Sequence, residues 1–237
     1  MNKPLALITA TTLLAGCGSA GSKPAASPVR GHPSGIRFVA QVDNPWYPLN
    51  PGTTLVYRGV KDGKPSRDVL TVTNRTKVID GVRCTVVSDL LYLSGKLEER
   101  TTDWYAQDTA GDVWYFGETT AELNPDGSVK NTSGTWLAGV KGARAGVYLP
   151  ANPRVGQSGR QEYYRGQAED HYRVKSLSTR VKTPAASSSQ ALLTEEWTPL
   201  EPGVLDHKYY VRGIGTVLEQ TVKGGDERNT LVSVKHG

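Results

Sequence analysis

The chain has 237 residues, with 28 Lys and Arg against 23 Asp and Glu, a formal net charge of +5. A hydrophobic fraction of 37% excludes a multi-span helical membrane protein, which needs several apolar runs of about 20 residues. Five Trp and eleven Tyr argue against wholesale disorder. Two Cys exclude a disulfide scaffold and a multi-cysteine zinc protein.

Met1-Asn2-Lys3 is a short positive start, and Pro4 to Leu14 is mostly apolar. That stretch is too short to span a bilayer and fits the core of a signal peptide. It ends Leu14-Ala15-Gly16-Cys17, which resembles the bacterial lipoprotein box, in which the cysteine is acylated and becomes the first mature residue. The resemblance predicts a signal peptide over residues 1–16 and lipidation of Cys17. Gly18 to Gly35 is rich in Gly, Ser, Ala and Pro without apolar periodicity, so residues 17–42 read as an acylated cysteine and a flexible tether. Two or more acyl chains at about 0.8 kcal/mol per buried CH₂ hold a protein essentially permanently. The expected location is the extracytoplasmic face of the bacterial cell membrane. Lys3 in the signal segment and Lys23 and Arg30 in the stretch Gly18 to Gly35 leave about +2 for the rest of the chain, which gives no footing for nucleic-acid binding.

Residues 43–237 read as one β domain, because two-residue alternation between turn signals dominates. Thr53 to Val60, Arg67 to Thr73 and Arg75 to Ile79 are runs separated by turns, with Asp62-Gly63 and Asp80-Gly81 as hairpin pairs. Val82 to Leu93, Leu97 to Gln107 and Asp112 to Glu118 follow. Cys84 shares a face with Val82 and Val86 and reads as a small buried apolar residue. Gly134 to Gly159 breaks the rhythm and reads as a long excursion. Arg160 to Arg165 and Gln167 to Lys182 resume it, and Pro184 to Gln190 reads as a loop. Leu192 to Thr198, Asp206 to Arg212, Gly215 to Lys223 and Glu227 to Val234 complete the chain. Short connections predict an all-β antiparallel meander curled into a barrel, half-barrel or strongly bent sheet, with a two-sheet sandwich as runner-up.

The densest aromatic segment runs Asp103-Trp104-Tyr105-Ala106-Gln107-Asp108 and, after a turn, Val113-Trp114-Tyr115-Phe116-Gly117-Glu118. Its simplest reading puts one face in the core and leaves the other as a solvated tyrosine ladder; the alternative is an aromatic wall of a ligand site. Together with Thr194-Glu195-Glu196-Trp197-Thr198-Pro199-Leu200-Glu201-Pro202-Gly203 and Lys208-Tyr209-Tyr210-Val211-Arg212-Gly213-Ile214-Gly215, this segment resembles a group of secreted and lipoprotein domains of bacteria, high-GC actinobacteria above all, to which no named activity attaches. More loosely, the layout is similar to lipoprotein-carrier-type half-barrels, which implies a curved sheet around an apolar cavity for acyl chains. No helices that would plug such a cavity are legible.

These readings predict a non-catalytic, membrane-anchored domain that binds an apolar small molecule, a lipid or an envelope protein. The expected lining is Trp104, Tyr105, Trp114, Phe116 and Trp136. No cofactor, metal site or catalytic residue is expected. The alternative is an envelope hydrolase built on paired carboxylates from Asp103, Glu118, Glu195 and Glu196.

Overall fold

The computed structural model describes residues 30–237, so the signal segment, Cys17 and most of the expected tether lie outside the described residues. Sixteen strands and no helix form among the described residues. The first strands are β1 (Phe38–Val39), β2 (Thr54–Lys61), β3 (Lys64–Ile79), β4 (Val82–Leu93), β5 (Lys96–Asp108) and β6 (Val113–Leu123). Next come β7 (Val129–Asn131), β8 (Trp136–Leu137), β9 (Arg144–Leu149), β10 (Ser158–Arg160) and β11 (Glu162–Tyr163). The last are β12 (His171–Lys182), β13 (Ser187–Trp197), β14 (Leu205–Val211), β15 (Gly215–Lys223) and β16 (Arg228–Lys235). Asp62-Gly63, Asp80-Gly81 and Ser94-Gly95 hold both residues at positive φ, the two-residue hairpin turn whose twist matches its strands.

The ladder is antiparallel and meandering. β2 to β6 pair in sequence, β12 to β16 do the same, and β16 joins the two runs by pairing with β2. β10 and β11 are two halves of one segment: Ser158–Arg160 pairs with β12, and Glu162–Tyr163 pairs with β9, itself a neighbour of β6. The sheet therefore nearly closes into a barrel, which removes the exposed edges a flat sheet of this size would carry. The closure is tighter than a half-barrel and is not a sandwich.

The excursion expected over Gly134 to Gly159 supplies this closure. It holds β8, β9 and most of β10. Its glycines disguise strands: a side chain at Gly146 would collide with the backbone of Arg160 and Gln161, so only glycine lets the two edges meet. The expected loop from Pro184 to Gln190 is also partly strand, because Ser187 and Ser188 extend the ladder opposite Lys182 and Val181 on an exposed, polar stretch.

The folded body starts near residue 30, not at residue 43. The Gly31 amide donates to Asp80 Oδ2 at 2.6 Å, and the Ala145 amide donates to Gly31 O at 2.6 Å. His32 is buried, with Nε2 3.6 Å from Asp80. Phe38 meets Phe116 and Trp114 edge-on, at 5.3 and 6.1 Å between centroids. Each such pair contributes about 0.5–1.5 kcal/mol beyond burial. β1 is too short to show a period, which is why the sequence reads as tether here.

Residues 42–49 then cross one end of the barrel. The Asn44 amide donates to Gln107 Oε1 at 2.7 Å and the Asn44 side chain donates to Gly111 O, both beside the β5–β6 turn. Pro45 O accepts from Gly213 in the β14–β15 turn at 2.7 Å. This segment is a cap, and it occupies the place where the sequence offered no plugging helix. Below it, Val72, Val87, Leu192 and Tyr210 are fully buried. At the other end of the strands, Lys61, Glu99, Glu227 and Asn229 surround an opening.

Candidate functional site

Alternation along β5 decides what faces the barrel interior. Glu99, Thr101, Asp103 and Tyr105 point inward, and Trp104 and Ala106 point outward. On β6 the phase changes at a bulge. Trp104 opposes Gly117 and Tyr105 opposes Tyr115, leaving Phe116 as the extra residue. Tyr115 and Glu118 thereby both reach the interior, which uninterrupted alternation would forbid. Gly117 permits the bulge with φ at 135°, and a side chain there would collide with Trp136 O on β8.

The interior holds a cavity of about 280 Å³, continued toward the opening by a second space of about 150 Å³. Its floor is aromatic. Tyr47 comes from the cap, and its ring lies 4.7 Å from Tyr148 and 5.5 Å from Tyr105. Tyr105 stacks on Tyr115 at 4.8 Å with an interplanar angle of 16°. The wall is acidic: eight carboxylates line the larger cavity, against one lysine. Asp103 accepts from the Tyr115 hydroxyl at 2.6 Å. Lys208 sits 3.0 Å from Glu196 and 3.3 Å from Glu219, so its charge is already matched.

Burial and mutual repulsion raise six of these acids, Asp68, Asp103, Glu118, Glu162, Asp170 and Glu219, above the ordinary carboxylate range. Burial pushes Glu118 up to about 8, with Glu162 and Glu99 adding to the rise. Burial raises Asp103 well above the carboxylate range, with Asp89 and Glu118 adding to it and the Tyr115 hydroxyl opposing it. Asp68 rises through burial and through Asp89 beside it. Glu162 rises through burial and Asp170. Glu219 rises only to about 7, because Lys208 offsets part of its burial. Lys208 is held well above its ordinary value: burial opposes this, but Glu196 and Glu219 outweigh it.

Of the five residues expected to line a ligand site, Tyr105 faces this cavity. Trp104, Trp114 and Phe116 stand on the outer face of the same strands. Lys77 covers the Trp104 ring at 3.9 Å, and Phe38 covers Trp114 and Phe116. Trp114 Nε1 donates to Asp108 at 2.9 Å. Trp136 packs edge-on behind Tyr115 at 5.4 Å and is not part of the lining. Both faces of the aromatic hairpin are therefore buried, so the expected solvated tyrosine ladder is instead the cavity floor. The interior is also not the apolar chamber that an acyl chain requires.

The four acids considered for hydrolysis separate into two kinds. Asp103 and Glu118 are directly opposed on β5 and β6 and face the cavity. Glu196 is buried with Lys208, Thr194 and Tyr210, while Glu195 meets Lys175 and His207 on the other face. Asp108 builds its turn by accepting from the Ala110 and Asp112 amides, both at 2.9 Å. Cys84 is fully buried, and burial pushes its thiol up to about 12, as suits a structural residue. Among the described residues no three His, Cys, Asp or Glu side chains converge as metal ligands would, and no helix is long and apolar enough to cross a membrane.

Sequence reasoning missed Asp68, Asp89, Glu162, Lys208 and Glu219. A signal existed for some of them. Asp68 shares its strand phase with Ser66, Leu70 and Val72, and Asp89 shares its phase with Val87 and Leu91. A charge in the phase of buried apolar residues is costly unless a cavity or a partner receives it.

The chain matches no known protein family, and no curated protein sequence is similar to it. Among solved structures, a candidate exported protein with a YmcC-like fold from Bacteroides fragilis aligns with 14% identity and a TM-score of 0.47, over 80% of this chain and 98% of that one. A candidate lipoprotein from Parabacteroides distasonis aligns with 12% identity and a TM-score of 0.40, over 82% and 100% of the two chains. Likeness at this level carries no information about ligand or activity.

Proposed function

We propose that this chain is a lipid-anchored cell-envelope protein whose barrel binds a small polar molecule in its interior and does no chemistry on it. The anchoring part rests on the order of positive start, apolar core, Leu14-Ala15-Gly16-Cys17 and polar linker. The binding part rests on one observation: an interior cavity of about 280 Å³, floored by tyrosines under a chain-encoded cap and open at the far end. A barrel built only for stability would fill that space with side chains. The lining turns the expected ligand class from apolar to polar, since an acyl chain would lie against eight carboxyl groups, of which Glu219 alone has a lysine within ion-pair distance.

The test is to purify the full-length protein from membranes in mild detergent, denature it and identify released small molecules by mass spectrometry. A polar compound at near one-to-one stoichiometry, lost from a variant with the cavity filled (Thr101→Trp), supports the reading. A released lipid, or no compound together with no response to any class of added polar molecule, would overturn it.

The opposition of Asp103 and Glu118 gives the hydrolase a second hearing, because directly opposed side chains lie about 5 Å apart at Cβ. Two-carboxylate hydrolysis needs one acid and one ionised base or nucleophile. Here burial raises both groups, which favours the acid role for each and works against the ionised partner the reaction needs. Turnover of aryl glycosides that disappears in Asp103→Asn would restore that reading.

A further inference from the structure

We propose that the barrel cavity is a site for a linear organic cation carrying two or more protonated nitrogens, a polyamine-like chain. The proposal rests on the reading of the barrel as a receptor for a polar molecule and names its charge and shape.

Three observations on different groups converge. First, among the described residues the only lysine of the larger cavity is spent on Glu196 and Glu219, and Lys61 at the opening is paired with Glu227 at 3.7 Å, so positive charge is scarce beside the remaining carboxyl groups. Second, polar atoms there are left open. Glu162 is only 6% exposed, lines the cavity and has Oε2 without a hydrogen-bond partner. Asp68 Oδ1 and Asp89 Oδ1 are likewise buried and unpartnered. Asp68 and Asp89 lie side by side, and the Trp136 indole N–H, also unpartnered, is the protein donor nearest Glu162. A buried acceptor normally has a donor, so these oxygens mark places where a ligand N–H can be received. Third, the floor is a set of stacked and edge-on tyrosines, whose ring faces attract ammonium groups once water is excluded.

Geometry separates an organic cation from a metal ion. A calcium ion requires six to eight oxygens in one shell. The acids here do not converge in that way; they lie at two depths. Asp103, Glu118 and Glu162 form an inner group near the tyrosines, and Asp68, Asp89 and Glu99 form an outer group nearer the opening. Asp103 and Glu99 are four residues apart on one strand, roughly 13 Å at about 3.3 Å per residue. Chains with nitrogens spaced over roughly 6–13 Å would reach both groups, with their methylenes along the tyrosine rings. Such a ligand also supplies what the site lacks, N–H donors with positive charge, which make the stronger class of hydrogen bond to carboxylates.

The experiment is isothermal titration of detergent-solubilised full-length protein at pH 7.5 and 150 mM salt. The titrants are spermidine, putrescine, n-butylamine, magnesium chloride and glucose. Spermidine is expected to bind with one-to-one stoichiometry, at least tenfold tighter than n-butylamine. Glu162→Gln and Asp89→Asn, which strike the inner and outer groups, should each weaken it at least fivefold. Glu122→Gln, on the outer surface beside Lys130, should leave it unchanged. Magnesium competing as well as spermidine, or all three variants behaving alike, would reduce the effect to diffuse attraction and overturn the proposal. Glucose binding with no amine binding would overturn the cation and keep the polar receptor. Silence toward every titrant, with nothing co-purified, would overturn both. Thermal unfolding of each variant shows that loss of binding is not loss of fold.

Discussion

Glu118 offers the sharpest check on the cavity's electrostatics. Its carboxyl takes up a proton at about 8 in the folded chain and near 4.5 when unfolded. Between those values the folded state holds a proton that the unfolded state has released. Stability contributed by this group is therefore full at low pH and falls as pH rises. The slope is about 1.36 kcal/mol per pH unit, so from pH 5 to 7.5 the loss has a ceiling of roughly 3.4 kcal/mol. Water in the cavity screens part of that, and about half is a reasonable expectation. Glu118→Gln cannot ionise and escapes the loss. The variant should be close to the parent at pH 5 and more stable by about 1.5–2 kcal/mol at pH 7.5. In urea titrations this opens a midpoint gap of roughly 0.7 M, for a slope of about 2–3 kcal/mol/M. The assay is urea unfolding of both proteins at pH 5, 6, 7 and 8, followed by tryptophan fluorescence. A gap that stays constant across pH, or that widens toward acid, would refute the account of a crowded, partly protonated interior.

Three further outcomes follow from the geometry. Lys208→Met leaves Glu196 and Glu219 without their cation and should cost about 3 kcal/mol at pH 7.5, with part recovered at pH 5 as Glu219 protonates; urea midpoints at the two pH values decide it. Gly146→Ala drives a Cβ into the backbone of Arg160 and Gln161 and should destabilise by more than about 2 kcal/mol, while Gly142→Ala in the nearby turn, whose Cβ would meet nothing but which strains a positive φ, should cost about 1 kcal/mol; thermal melts of the pair measure the difference. Cys17→Ser should abolish metabolic labelling with palmitate and release the protein from membranes, and a labelled variant would overturn the anchor.

The strands were legible because their chemistry is local. Asp62-Gly63 and Asp80-Gly81 announce their own turns, and Val82 to Leu93 is apolar in one phase except at Ser88. Closure was not legible, because Gly146 matters only for what lies across from it, fourteen residues away in sequence. The aromatic hairpin shows the same limit from the other side. Alternation correctly separated Trp104 from Tyr105, yet it could not say which face is inside a barrel or that Phe38 would cover the other. The bulge at Gly117 also moved Glu118 into the cavity against simple counting. Lys208 and Glu219 sit on strands far along the chain from Asp103, and only the ring of pairings brings them together.

The place where the chain enters the fold has a consequence for access. Gly31 is tied to Asp80 at the β3–β4 turn, whereas Lys61, at the start of the hairpin into β3, borders the opening. β3 separates the two with sixteen residues, roughly 50 Å of strand before bending is counted. The thirteen peptide steps from Cys17 to Arg30 can reach at most roughly 45 Å. A barrel held at Cys17 would thus be leashed by the end away from its doorway.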